Sequence, residues 1–162
     1  MDRKSFVARF GHVFEHSPWI AERAFDTGGV PQPITAGSVH AALCRAFRTA
    51  TETEQQGVID AHPDLAGKLA AAGGLTADST AEQQSAGLDM MTTEERRRFT
   101  ELNDAYRQRF GFPFIMAVKG KSRQEIEAAF ERRLQHDRQT EFETALAQIE
   151  TIALLRLQEI LP

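Results

Sequence analysis

Three short segments of this 162-residue chain carry side chains of the kind that move protons, hold metals or grip anions. His12-Val13-Phe14-Glu15-His16 has the H-x-x-E-H spacing. On a helix, that spacing lets two histidines one turn apart share a zinc ion, with the glutamate as base. The match is short, sits at the end of a brief helix directly before Ser17-Pro18 and brings no third ligand. Surface histidines are therefore the preferred reading, and no metal is expected. His62-Pro63-Asp64-Leu65-Ala66-Gly67-Lys68 is the second segment. A residue before proline is pushed out of helical dihedrals, so His62 is held at a rigid break between helices. An imidazole titrating near neutral pH is suited there to general acid/base work. It is equally a helix C-terminal cap that favours the dipole of the preceding helix, and spacing alone favours the cap. Asp64 falls where it could cap a short helix beginning at Leu65. Ser79-Thr80-Ala81-Glu82-Gln83 is the third segment. A capping box explains Ser79 and Glu82 without any function. A helix N-terminus also offers N–H groups to an anion, and Gln83 adds an amide that both donates and accepts. None of these segments alone establishes an enzyme.

The elements that must position them read as helices. Thr51…Glu54, Ser79…Glu82, Thr92…Glu95 and Ser122…Glu125 all fit the capping box, and each is expected to start a helix. The first helix is expected near Ser5 to Glu15, with Phe6, Phe10, Val13 and Phe14 on one face. Pro18 suits the first turn of the next helix, which Asp26 and Gly28-Gly29 end. Pro31 and Pro33 mark a loop. Helices follow from about Ser38 to Thr49, Glu52 to Ala61, Leu65 to Ala72 and onward from Ser79. A long helix spans Glu94 to Arg109, and two more close the chain, near Glu125 to Gln135 and Thr140 to Leu161. The last places Phe142, Leu146, Ile149, Ala153, Leu157 and Ile160 at helical spacing. The most apolar run, Phe110 to Val118, is broken at its start by Gly111 and Pro113, and periodicity does not decide between helix and buried strand. The fold class is all-α, a single compact bundle of eight to nine helices over residues 1–162.

Composition is ordinary for a globular chain, with 41% hydrophobic and 26% charged residues and a formal net charge of −4. Nucleic acid is not an expected partner, since that needs clustered excess Lys and Arg. Arg96-Arg97-Arg98 follows Glu94-Glu95 and reads as a solvated helix face. The one cysteine, Cys44, sits in an apolar helical pattern and reads as a buried structural thiol. There is no signal peptide, membrane span or lipidation motif, and the C-terminal Glu159-Ile160-Leu161-Pro162 is not a peroxisomal address. A cytoplasmic protein without membrane partners is the expectation. A helical interaction module and a metallopeptidase are the competing classes.

Taken in order, the motifs point further. They are Ser17-Pro18-Trp19, His62-Pro63-Asp64-Leu65-Ala66-Gly67, Leu75-Thr76, Ser79…Glu82-Gln83, Ala86-Gly87-Leu88, Leu102-Asn103…Tyr106 and Phe110-Gly111-Phe112-Pro113-Phe114-Ile115. Together they resemble the OHCU decarboxylases, which act on 2-oxo-4-hydroxy-4-carboxy-5-ureidoimidazoline in urate breakdown. The resemblance spans nearly the whole chain. It implies an all-helical homodimer that uses no cofactor and releases (S)-allantoin and carbon dioxide. By motif, His62 takes the family's catalytic histidine role and Glu82 its catalytic glutamate role. Pro63, Ser79 and Gln83 fall at ligand-lining positions, with Phe112 and Ile115 on the pocket wall. Some members carry an arginine where this chain has Lys119. Lysine keeps the charge and loses the bidentate fork, which leaves the substrate carboxylate to Lys119 or to another basic residue such as Lys121.

Overall fold

The computed structural model describes the backbone of residues 1–162 and every side chain except that of Leu69. Among the described residues the regular structure is entirely helical: α1 (Arg3–Phe10), α2 (Trp19–Gly28), α3 (Ala36–Arg48), α4 (Glu52–Asp60), α5 (Lys68–Ala71), α6 (Ala77–Ser85), α7 (Thr93–Phe110), α8 (Arg123–Arg133) and α9 (Arg138–Ile160), with a 3₁₀ turn at Leu88–Met90. This is the expected all-α class. No described helix is long and apolar enough to cross a membrane. The chain forms two compact units, Met1–Ala61 with Ile149–Pro162, and His62–Gln148.

In the first unit, α1 to α4 and the last part of α9 bury Phe6, Phe10, Phe14, Ile20, Leu43 and Phe47. Ring pairs Phe6–Phe10 and Phe14–Phe47 lie 5.0 and 5.2 Å apart. Thr51 and Glu54 form the expected capping box, and Thr35 with Ser38 forms another. The first helix stops at Phe10, five residues before the expected end. Val13, Phe14 and Glu15 are all buried, which no single helical face allows. Tight turns take over instead: Val13 N donates to Phe10 O and Ser17 N to Phe14 O. The Arg156 guanidinium donates to Val13 O at 3.3 Å and to Glu15 Oε2 at 2.9 Å.

In the second unit, Tyr106 is fully buried among Phe110, Phe112 and Phe114, at ring separations of 4.6, 5.9 and 5.2 Å. Phe114 stacks on Phe130 at 3.7 Å. Thr92 and Glu95 form their capping box. Ser122 caps α8 by accepting from Glu125 N. Ser79 does not start a helix. Thr76 occupies the N-cap of α6 and accepts from Ser79 N, which places Ser79 inside the first turn. The apolar run settles as neither helix nor strand. Gly111, at φ +78, ends α7 in the left-handed conformation that glycine alone adopts at no cost, and residues 113–118 continue without regular structure.

Candidate active site

The segment from His62 to Gly67 is short, irregular and fastened on three sides. Ala61, not His62, fills the C-cap of α4, and His62 lies one residue beyond with 7% of its surface exposed. Ala66 stands at φ +53, a conformation that costs a residue with a Cβ about 1–2 kcal/mol. Such a residue persists only where its surroundings over-determine it, and three side chains do so here. Gln83 of α6 accepts from Ala66 N at 2.9 Å and donates to Asp64 O at 3.3 Å. Asn103 of α7 donates to Leu65 O at 2.9 Å. Arg107, one turn further along α7, donates to both Asp64 carboxylate oxygens at 3.0 and 3.3 Å. Asp64 therefore holds the loop to α7 rather than capping a helix. Gly67 takes the N-cap of α5, which starts at Lys68, three residues later than expected. A Cβ on Gly67 would come within 2.8 Å of Asp64 Cβ, so only glycine fits.

Gln83 brings the histidine loop against α6, the helix that carries Ser79 and Glu82. Ser79 and Gln83, one turn apart, are both buried, and Glu82 is partly exposed. Each end of the Gln83 amide already has a protein partner. The carbonyl keeps a second lone pair and the amino group a second hydrogen for another contact. A cavity of about 350 Å³ opens beside Thr80, Gln83, Gln84, Leu75, Leu88 and Arg96. Its size suits a small molecule. His62 and Glu82 do not line it.

Phe112 and Ile115 are buried on the irregular stretch after α7, and Lys119 and Lys121 are exposed at its end. Without a ladder of its own, the stretch takes hydrogen bonds from distant side chains. Arg133 Nη1 donates to Ile115 O at 2.7 Å, and Gln148 Oε1 accepts from Ala117 N at 2.9 Å. Arg133 lies over the Phe114 ring at 4.2 Å and donates to Glu141 Oε1 at 2.8 Å. Glu141, fully buried, also accepts from the Tyr106 hydroxyl at 2.6 Å and pairs with His136 Nδ1 at 2.9 Å. Burial, then the hydrogen bond to Glu141, pushes the Tyr106 hydroxyl well above its ordinary value, so it stays a donor.

Helix α7 joins the two halves of this arrangement. Its residues Asn103 and Arg107 hold the histidine loop, while Tyr106 and Phe110 pack against the apolar wall. Asn103 and Arg107 belong to the part of the site that motif reading leaves without a role. The available signal is a buried amide at a helical position flanked by Phe99, Leu102 and Tyr106.

The other sequence candidates separate from this region. His12 and His16 are exposed outside any helix, while Glu15 between them is buried against Arg156. Among the described residues no three His, Cys, Asp or Glu side chains form a metal-binding group. Burial pushes the Cys44 thiol up to about 12, with Glu150 adding to the shift, which suits a structural thiol rather than a nucleophile. Arg98 bridges to Glu127 and Glu131 at the surface, as a solvated face does.

The fold and the ordered motifs meet in one family. The family described as OHCU decarboxylase matches residues 1–158, and this chain belongs to it. A 2-oxo-4-hydroxy-4-carboxy-5-ureidoimidazoline decarboxylase of Haloferax volcanii is 44% identical over 160 residues, covering 98% of this chain and 90% of that protein. A uric acid degradation bifunctional protein of Bacillus subtilis is 40% identical over 162 residues, which cover 99% of this chain and 31% of that longer protein. The crystal structure of an (S)-allantoin synthase superposes with a TM-score of 0.78 at 28% identity, over 99% of this chain and 51% of that one.

Proposed function

We propose that this protein decarboxylates 2-oxo-4-hydroxy-4-carboxy-5-ureidoimidazoline to (S)-allantoin and carbon dioxide in urate degradation. Family membership supplies the reaction. The observation that supports the placing of the site is the clamped His62 loop, tied by Gln83 to the helix that carries Ser79 and Glu82.

The substrate makes a cofactor unnecessary. Its carboxylate leaves a ring carbon that also bears a hydroxyl, and the neighbouring carbon, bearing the ureido group, is an imine. The electron pair of the breaking C–C bond becomes a new C=C bond, and the imine π pair moves to nitrogen, which takes a proton. The hydroxyl then gives up its proton to become the ring carbonyl, and the ureido-bearing carbon gains one. The substrate is its own electron sink, a role that cofactors fill in other decarboxylases. What remains for the protein is to orient the carboxylate, exclude water and move protons. His62 acts as general acid/base on the hydroxyl or the departing centre. Glu82 accepts hydrogen bonds from ureido or ring N–H groups and fixes the pose. Pro63, Ser79, Gln83, Phe112 and Ile115 line the substrate, and Lys119 supplies charge for the carboxylate. Protonation from one face sets the (S) product.

The test is steady-state kinetics on freshly generated substrate. His62→Ala is expected to lower kcat by about 10²–10⁴-fold while remaining folded. A folded His62→Ala protein with wild-type kcat would remove the histidine from the mechanism, and racemic allantoin would remove the stereochemical step. The family resemblance also implies a homodimer, which analytical ultracentrifugation examines, and the cytoplasmic setting expected from the sequence is examined by cell fractionation.

A further inference from the structure

We propose that Asn103 is a positioning residue for His62, setting the geometry of the catalytic loop from the neighbouring helix. The inference rests on His62 being the general acid/base of the proposed reaction. Asp64 O, Leu65 O and Ala66 N, three polar groups of the loop backbone, all have side-chain partners. Of the residues that bind this loop, Gln83 belongs to the substrate-lining set. Arg107 reaches Asp64 at the surface, with 45% of its side chain exposed, where an ion pair is loosely held. Asn103 is different: only 3% exposed, on the long helix α7, and fixed to a backbone carbonyl, Leu65 O, for which neither of the others supplies a bond.

Its hydrogen-bond balance makes it a weak stabiliser for so buried a side chain. Asn103 donates through Nδ2 to Leu65 O, but its own buried Oδ1 has no partner within the chain. A half-satisfied buried amide is a poor stabiliser compared with an apolar side chain of the same size. Asn103→Leu would leave Leu65 O unpaired and remove the unpaired Oδ1, so the number of orphaned buried atoms stays the same. The donor does define where the Leu65 peptide stands, and with it the strained Ala66 and the start of the loop at His62. A group displaced by an ångström from its productive position loses about 10²-fold in rate.

Two variants test this. Asn103→Leu is expected to shift Tm by less than about 4 °C while kcat falls by about 10- to 100-fold with KM little changed. Asn103→Asp keeps the shape but can donate to Leu65 O only when its carboxyl is protonated. Burial raises that carboxyl above its ordinary range. The ratio of variant to wild-type kcat should therefore rise as pH falls, a dependence that loss of packing alone would not produce. Wild-type kcat in folded Asn103→Leu, a change confined to KM, or a pH-independent ratio in Asn103→Asp would each overturn the proposal. The two levels separate cleanly. An active His62→Ala protein fails the reading of the site, whereas an inactive His62→Ala beside a fully active Asn103→Leu fails only the positioning role.

Discussion

Residues 12–16 and 62–67 are assembled from the same parts. Each carries histidine just past a helix end, each contains a non-glycine residue at left-handed φ (His16 at +47, Ala66 at +53), and each pairs an acidic side chain with an arginine from far along the chain. What differs is which polar group goes inside. In the first, Glu15 and Arg156 are buried together and the histidines face solvent. In the second, the Asp64–Arg107 pair lies near the surface and the histidine is buried. The segment with the better-known motif spacing is thus an ionic fastener, and the segment that resembled a helix cap is a mount for an imidazole. Spacing tells which groups are near each other. Burial, and the hydrogen bonds that justify it, tells which of them the fold has taken out of water.

The contrast can be broken in order of expected effect. The largest difference should be between the histidines: beside the loss of about 10²–10⁴-fold in kcat expected for His62→Ala, His12→Ala and His16→Ala should stay within about twofold of wild type, as exposed substitutions generally do. Comparable losses at His16 would erase the distinction. Next come the carboxylates. Glu15→Ala strands a buried guanidinium and should cost about 3–5 kcal/mol in urea unfolding. Asp64→Ala removes a partly exposed pair worth about 0–1 kcal/mol. Equal costs would mean the two loops are not anchored differently. Gly67→Ala forces a Cβ against Asp64 and should destabilise by about 1–3 kcal/mol, with a drop in kcat that Arg107→Ala does not match. The smallest effect belongs to a third pair, Arg23–Glu54, which is partly exposed. Hydrogen bonding from Arg23, then from the Thr51 backbone, lowers the Glu54 carboxyl from 4.5 to about 2. Its stabilisation is therefore complete above pH 4.5 and lost as pH falls through about 2. The difference in urea midpoint between wild type and Glu54→Gln should shrink over that window, and a constant difference would show that the pair has no part in acid stability.

Much of the architecture was legible in the sequence, because helices announce themselves locally. The Thr51 and Thr92 capping boxes, the apolar face of α9 and the break at His62-Pro63 are all where residue types and spacing put them. Reading failed where a local rule had two solutions or a distant residue decided. Ser79 and Glu82 satisfy the capping-box spacing, but so short a pattern cannot exclude a cap one turn earlier, and Thr76 supplies it. α1 ends early because Arg156, on the last helix, captures the backbone beyond Gly11. The Phe110–Val118 run shows no period, and within it Ile115 O and Ala117 N are answered by Arg133 and Gln148 rather than by a neighbouring strand. In the candidate site, the resemblance points to residues but not to the contacts that fasten them, and it assigns Asn103 and Arg107 no role. Asn103 and Arg107 act through a loop some forty residues away, and apart from an amide set among Phe99, Leu102 and Tyr106 nothing in their own neighbourhood marks that contact.

The irregular wall after α7 has a consequence for how this protein can change. Because Ile115 O and Ala117 N are held by single side chains, the contour of that wall is written at positions 133 and 148 as much as in the wall itself. A substitution at Arg133 or Gln148 removes the hydrogen bond that fixes Ile115 O or Ala117 N and so shifts the backbone of the stretch itself, which makes these two positions ones to watch for drift in substrate preference.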